Sequence, residues 1–347
     1  MNSFIKTSLI VACFALGFAG TCHAQLEVLD IREGTGIPSE VRAIYEKGAD
    51  YLASTQLEAG NWETGQETRE CGICGLCVMA FLSTGEDPNF GKYSQNIRKA
   101  LQFIIRKQDK SGYIPGNMYS HGFAMLALAE AYGAVDDERF WAGEEKEGVR
   151  TIGESLELAV RMALTSQKNN PRKAWRYAPT AQDADTSVAG AVIMGLLAAQ
   201  NAGIEVPDAS IDAALAYMKS LTTPSGEVGY TGPMGRSWAR SAIACLVFSI
   251  GKHKDWEQYE STKKFITNNF QETGNWPFYT RYYQAQALFQ SDYETWELWN
   301  ADTIKTIQNI QKENGEIPGS AHGVAYSTSM SLLALALNYR FLPIYER

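Results

Sequence analysis

Asp183-Ala184-Asp185 sets two carboxyl groups two residues apart. Carboxylates that close share a proton and split their apparent pKa values, which is what a general acid requires. Asp185 also precedes Thr186-Ser187-Val188, so it reads equally as the N-cap of a helix, accepting a free backbone N–H. Cys71, Cys74 and Cys77 recur at i, i+3 and i+6, on one helical face within about 120°. Such a run matches half of an iron–sulfur ligand set, without the fourth Cys and its Pro. Three small buried side chains at a close helix contact are the plainer reading, with a local disulfide or a soft-metal site as alternatives. His121 stands at the start of a charge-poor segment, as do Asp185, Trp238, Tyr282 and Tyr326. Lys168, Arg172, Lys173 and Arg176 form a basic loop beside Asp183, either solvated or the rim of an anion site.

The elements that must position these residues repeat every 45–50 residues or so, the mark of stacked supersecondary units. Each unit opens with an amphipathic helix, beginning near Val41, Ser94, Ser155, Ser210, Tyr259 and Asn300. A Gly-containing turn leads to a second helix rich in Ala, Gly and Ser, beginning near Arg69, Ser120, Asp185, Ser237, Thr280 and Ser327. Ile97, Leu101, Ile104 and Ile105 make one apolar stripe, with Arg98, Lys99, Arg106 and Lys107 outside it. Phe123 to Ala131 is apolar nearly all round and must be surrounded by other helices. Strand signals are almost absent. The expected fold is all-α, an inner ring of apolar helices inside an outer amphipathic ring. If the inner helices run parallel, His121, Asp185, Trp238, Tyr282 and Tyr326 converge at one mouth, where helix N-termini also favour anionic groups.

The turns carry a repeated string. Gln56-Leu57-Glu58-Ala59-Gly60-Asn61-Trp62 reads Q-x-x-x-G-x-W; Gln108 to Ile114 and Gln311 to Ile317 keep Gln and Gly and replace Trp with Ile. Gly226-Glu227-Val228 and Gly274-Asn275-Trp276 keep its end. Gly suits a left-handed cap of the outer helix, and Gln suits freed backbone groups, so the string is structural. These repeats resemble the QW motifs of the squalene cyclase and protein prenyltransferase superfamily. Trp175-Arg176-Tyr177-Ala178-Pro179, Met118 to Gly122, Tyr282 to Gln290 and Tyr339 to Tyr345 resemble its exported bacterial branch with prenyltransferase/squalene oxidase repeats. The resemblance spans roughly residues 40–345 and implies an α/α toroid of about six hairpins. It also implies a test of chemistry. Squalene-type cyclases carry D-x-D-D, and here Thr186 stands where the last Asp belongs. Prenyltransferases hold zinc through Asp, Cys and His, and none of His121, His253 or His322 has that spacing.

The 347 residues carry a net charge of −8, which disfavours nucleic acid as a partner. Residues 1–24 read as a secretory signal peptide: Lys6, the apolar stretch Ser8 to Gly20, then Cys22-His23-Ala24. Residues 25–40 read as a linker and 41–347 as one toroid domain. No later apolar run is long enough to span a membrane. A periplasmic or secreted location follows, and with it no cofactor, since ATP, nicotinamide and soluble isoprenoid diphosphates are scarce there. Seventeen Tyr, fourteen Phe and eight Trp supply pocket walls. The expectation is a toroid binding a small-molecule, glycan or peptide ligand at Tyr119, Trp175, Tyr177, Trp238, Tyr282, Tyr283 and Tyr326. Two enzymatic alternatives stand beside it. One is a cyclase or isomerase with Asp185 and Asp183 as acid and His121 nearby. The other is a carbohydrate-active toroid, for which the inner-helix starts offer no opposing carboxylate. No metal is expected.

Overall fold

Charge-rich and charge-poor segments alternate along the chain, and each becomes a helix of a different layer. The computed structural model describes residues 36–64, 69–137, 139–143, 149–233, 235 and 237–345; the signal-peptide reading and most of the linker lie outside them. The outer layer is α1 (Ser39–Thr55), α3 (Ser94–Lys107), α5 (Ile152–Asn169), α7 (Asp208–Ser220), α9 (Glu257–Asn268) and α11 (Tyr293–Ile310). The inner layer is α2 (Glu70–Leu82), α4 (Met118–Ala131), α6 (Thr186–Asn201), α8 (Trp238–Ile250), α10 (Pro277–Ser291) and α12 (Val324–Leu335). Each inner helix contacts that of the next pair, and α12 returns to α2, so the inner helices close into a ring. The described residues contain no strand, only an isolated bridge between Thr222 and Val228. Residues Glu40–Arg347 form one compact unit.

The inner helices are buried on every side, as their lack of charge requires. In α6, Val188, Val192, Ile193, Leu196 and Leu197 are all at most 2% exposed, each contributing about 1.5–3 kcal/mol. Small residues set the spacing between α2, α4 and α6. A Cβ on Gly75 would lie 2.6 Å from the Phe123 carbonyl oxygen, and one on Gly122 2.8 Å from Ala191 backbone. Cys71, Cys74 and Cys77 belong to this close-packed stretch; they and Cys245 are buried free thiols. Burial pushes Cys71 and Cys245 up to about 12, which leaves them unreactive.

The repeated turn is a clamp between neighbouring hairpins. Gln56 Nε2 donates to its own Gly60 carbonyl at 2.9 Å and to Asn96 of the next outer helix at 3.0 Å. Gln108 does the same to Gly112 and Ser155, and Gln311 to Gly315 and Ile44, the last closing the ring from α11 onto α1. Gly60, Gly112 and Gly315 all have positive φ, and a Cβ on any of them would stand 2.0–2.2 Å from a carbonyl oxygen of the neighbouring outer helix. Glycine is thus required twice over, for conformation and for approach. Gln167 makes the same pair of bonds, to Lys173 and Ser210, across a longer turn that hides it from the string.

Most helices begin within three residues of the expected starts. The exception is α11, expected near Asn300 and observed from Tyr293. The reason is Asp292, which ends the tight link from α10 by capping α11, accepting the Thr295 N–H at 3.0 Å.

Candidate ligand-binding site

All six inner helices bring their first turns to one end of the ring, around a cavity of about 430 Å³. Gly72, Ile73 and Leu76 come from α2, Tyr119, Ser120 and Phe123 from α4, and Ser187 from α6; Ala239 and Arg240 come from α8, Tyr279 from α10 and Tyr326 from α12. Arg69, Tyr177, Tyr230, Trp276 and His322 enter from the segments that precede inner helices. Helical side chains lean toward the N-terminus, so a residue at the second or third position of an inner helix reaches past its own first turn into the mouth. Tyr119, Arg240, Tyr279 and Tyr326 occupy those positions. The caps behind them are satisfied: Asn117 accepts the Ser120 N–H at 2.9 Å and Ser237 the Arg240 N–H at 3.3 Å.

The floor is aromatic. Tyr119 meets Tyr279 across the ring at 5.9 Å between centroids, and Phe123 meets Tyr282 at 6.0 Å. Tyr283 wedges against Tyr279 and Tyr282 at 4.9 and 4.8 Å. These contacts between α4 and α10 fill the axis, so the opening is a cup and not a channel. Burial pushes the hydroxyls of Tyr119, Tyr279 and Tyr326 far above their ordinary range, which keeps them neutral donors.

The rim is aromatic and basic. Trp276, 57% exposed, stacks on His322 at 5.4 Å, and His322 meets Tyr326 edge-on at 5.0 Å. Arg69 Nη1 donates to His322 Nδ1, whose pKa burial and the adjacent guanidinium both lower. Across the opening the hydroxyls of Tyr177 and Tyr230 share a hydrogen bond of 2.8 Å. Arg240 lies over Tyr230, its Nε donating to the Val228 carbonyl at 3.1 Å and its Nη2 to Gly235 at 3.3 Å. Among the described residues that line the cavity there are two arginines and no carboxylate.

Of the residues singled out from sequence, Tyr119, Tyr177 and Tyr326 stand in this wall, and the others do not. Asp185 is fully buried and caps α6, accepting the Val188 N–H at 2.8 Å. Burial pushes its carboxyl up to about 6, against the pull of that N–H and of Arg176. Asp183 is exposed and paired with Arg176 at 2.7 Å, while Arg176 Nε lies 3.3 Å from Asp185. His121 is fully buried, its Nδ1 accepting the Ile114 N–H and its Nε2 donating to the Ala159 carbonyl, both at 3.1 Å. Burial lowers its pKa to about 4. Trp175 is the tryptophan of its own turn, donating to the Ala163 carbonyl at 2.9 Å as Trp62 donates to Leu52 at 2.8 Å. Trp238 stacks on Phe265 of α9 at 5.1 Å. Tyr282 and Tyr283 lie one turn deeper than the cavity residue Tyr279 and are buried in the floor.

His121 and Cys74 share one structural task. The residue two after each turn glycine points its backbone N–H at an inner helix. Cys74 receives that of Trp62, His121 that of Ile114 and Thr328 that of Ile317. Reactive residue types here serve as acceptors for buried amides. No group of three or more His, Cys, Asp or Glu among the described residues is placed to hold a metal ion.

Sequence reasoning missed Arg240 and Tyr279 although the signal was present: both are third residues of inner helices. A count from each helix start finds them, but it depends on a one-residue boundary. Tyr230 and His322 come from irregular segments with no periodicity to follow, and Arg69 was passed over as a mere helix start. Trp276 is the aromatic of a repeated turn read as structural that, unlike the buried Trp62 and Trp175, stands exposed at the mouth.

No protein-family model matches the chain, and none of the curated proteins is significantly similar to it. Solved structures do match. A variant of the type II terpene cyclase MstE from Scytonema, in complex with geranylgeranyl dihydroxybenzoate, is 14% identical over 88% of this chain and 99% of its own, with a TM-score of 0.58. A second MstE variant, with merosterolic acid A, is 16% identical over 88% and 98%, with a TM-score of 0.55. A glycosidase variant is 11% identical over 89% and 100%, with a TM-score of 0.56. At such identities the likeness is one of architecture, and the architecture of this chain is the terpenoid cyclase-like α/α toroid.

Proposed function

We propose that the protein binds a ligand with an aromatic or extended apolar body in the cup at the N-terminal ends of its inner helices. The observation that carries this reading is the wall itself: Tyr119, Phe123, Tyr279 and Tyr326 below, Tyr177, Tyr230 and Trp276 above, around about 430 Å³. That volume lies in the range of small-molecule sites. The geranylgeranyl dihydroxybenzoate held by the MstE variant supports an apolar body over a glycan. Alkene protonation is the weaker reading. The raised Asp185 carboxyl favours it, but that side chain is spent on a helix cap and an arginine and has no face on the cavity. Glycoside hydrolysis needs a pair of carboxylates flanking the substrate, and the described wall supplies none. The sequence of residues 1–24 supports a site of action outside the cytoplasm. No helix of the described residues is long and apolar enough to cross a membrane.

Titration with farnesol, 2-naphthol and cellobiose, followed through tryptophan emission, tests the proposal. Farnesol and 2-naphthol are expected to saturate a single site, and Ser187→Phe, which fills the cup from the first turn of α6, is expected to abolish binding. Saturable binding of cellobiose alone, or apolar binding indifferent to Ser187→Phe, overturns it.

A further inference from the structure

Two guanidinium groups face an aromatic cup, and among the described residues neither forms an ion pair with a carboxylate; Asp185, which acts on Arg240 at longer range, is itself held by Arg176. Elsewhere on the same rim the rule is pairing: Arg176 takes both Asp183 and Asp185. Among the described residues Arg69 bonds a lowered-pKa histidine. Arg240 is half-buried, and burial lowers its pKa, so its charge stands in a poorly solvated place. Backbone carbonyls of Val228 and Gly235 hold two of its nitrogens, fixing the plane of the fork and leaving its remaining N–H donors for another acceptor. Beside it the ring of Tyr279 lines the cavity, its hydroxyl shut off from solvent among those of Tyr119 and Tyr283 in the floor. The first turns of six helices add partial positive charge at the same opening.

We infer that the ligand of this cup carries a carboxylate on its apolar or aromatic body, received by the guanidinium of Arg240. The inference rests on the reading that the cup is a ligand site and names the head group of its occupant. A carboxylate fits one planar fork. A diphosphate, with two or three charges, is poorly matched: the described wall holds two arginines from opposite helices, one tied to His322, and no lysine. An ammonium head would meet the guanidinium and the helix ends with like charge.

Three amphiphiles of one chain length, dodecanoate, 1-dodecanol and dodecyltrimethylammonium, separate the parts when titrated into the full chain at pH 7.5. Dodecanoate is expected to bind roughly 10- to 100-fold more tightly than dodecanol, the range of one charge-assisted hydrogen bond, and the ammonium weakest. Arg240→Gln is expected to bring dodecanoate down to the level of dodecanol and leave dodecanol unchanged. Dodecanol binding as well as dodecanoate overturns the carboxylate while keeping the apolar site. Loss of both ligands in equal measure in a folded Arg240→Gln overturns the role of Arg240. If no amphiphile binds, the ligand site falls and the head group with it. Where Arg240→Gln lowers the melting temperature, Arg240→Lys replaces it, since it keeps the charge and loses the planar fork; an unchanged dodecanoate-to-dodecanol ratio there counts against reception by the fork.

Discussion

The two ends of the ring are built from the same six helices and finished in opposite ways. At the N-terminal end the chain leaves a cup open, with arginine and tyrosine donors around it. At the C-terminal end it folds its own last residues over the opening. Leu342 and Ile344 are each 2% exposed, and the short 3-10 helix Pro343–Tyr345 touches α6. The recess of about 470 Å³ left there runs between the ends of α2, α4 and α6 and the strap residues Phe341 to Pro343. Its buried acid, Glu130, accepts the Ile344 N–H. One end thus spends its polar group on the chain itself and the other keeps donors unspent. A toroid needs only one mouth for a ligand, and covering the other protects the core that the ring encloses.

The sharpest way to break this contrast is to remove the strap. A chain ending at Asn338 exposes the sites of Leu342 and Ile344 and loses the Tyr45–Tyr339 contact at 4.8 Å. Burial of the two aliphatic side chains alone predicts a loss of roughly 4 kcal/mol in denaturant unfolding. Ligand affinity at the other end is expected to stay within about twofold. A parallel fall in affinity would show the two ends to be coupled and the strap to be more than a cover.

Glu130 gives the next effect, and its sign is fixed by linkage. Burial pushes its carboxyl from 4.5 up to about 8. Between those values the folded state holds a proton that the unfolded chain has released, so stability falls as pH rises through that window. At pH 7 the penalty is up to about 3 kcal/mol, at 1.36 kcal/mol per pH unit. Glu130→Gln keeps the acceptor for Ile344 and removes the titration. It is expected to melt several degrees above the parent at pH 8 and to match it below pH 4.5. Identical melting curves for the two proteins from pH 4 to 8 would show that Glu130 is ionised in the folded state.

At the open mouth the prediction reverses, with binding affected and stability not. Trp276 is more than half exposed and touches His322. Trp276→Ala is expected to weaken an apolar ligand by about tenfold, the scale of one lost aromatic contact, and to shift the melting temperature by less than a degree or two. Calorimetric titration set beside thermal melts of the same samples checks both halves.

How far these ends were legible from sequence depends on what each is made of. The ring follows from periodicity and charge, because an uncharged helix such as α6 has nowhere to go except between others. The clamp was visible in Gln56, Gln108 and Gln311, since a glycine with a neighbour's carbonyl at its Cβ position tolerates no substitute. The open mouth was half legible. Tyr119 and Tyr326 follow from the starts of α4 and α12, while Tyr282 and Tyr283 were taken for Tyr279 because a shift of one turn on α10 exchanges wall for floor. Tyr230 is placed by tertiary packing that no local pattern encodes, and the turn pattern that marks Trp276 does not tell that its ring faces the mouth. His121, Cys74 and Asp185 drew attention as reactive types, yet each satisfies a buried backbone amide. The cap at Asp185 was readable from its place before Thr186-Ser187-Val188, while the tasks of His121 and Cys74 show only when turn and helix are brought together.

Asp185 gives the last prediction, the one that separates cap from catalyst. Asparagine caps a helix nearly as well as aspartate, so Asp185→Asn keeps the bond from Val188 and gives up the attraction of Arg176 and, more weakly, of Arg240. The charge removed is a buried one whose pKa is raised from 3.8 to about 6. In the parent, stability therefore falls as pH rises through that interval, and in the variant this slope is absent. Above pH 6 the variant is thus expected to be the more stable of the two in denaturant unfolding, by up to about 3 kcal/mol at 1.36 kcal/mol per pH unit, less the slightly weaker cap. Affinity for an apolar carboxylate at the cup is expected to hold within twofold, because Asp185 has no face on it. A large fall in affinity, with the fold intact, would place this carboxyl in the site after all and return the open mouth to proton chemistry.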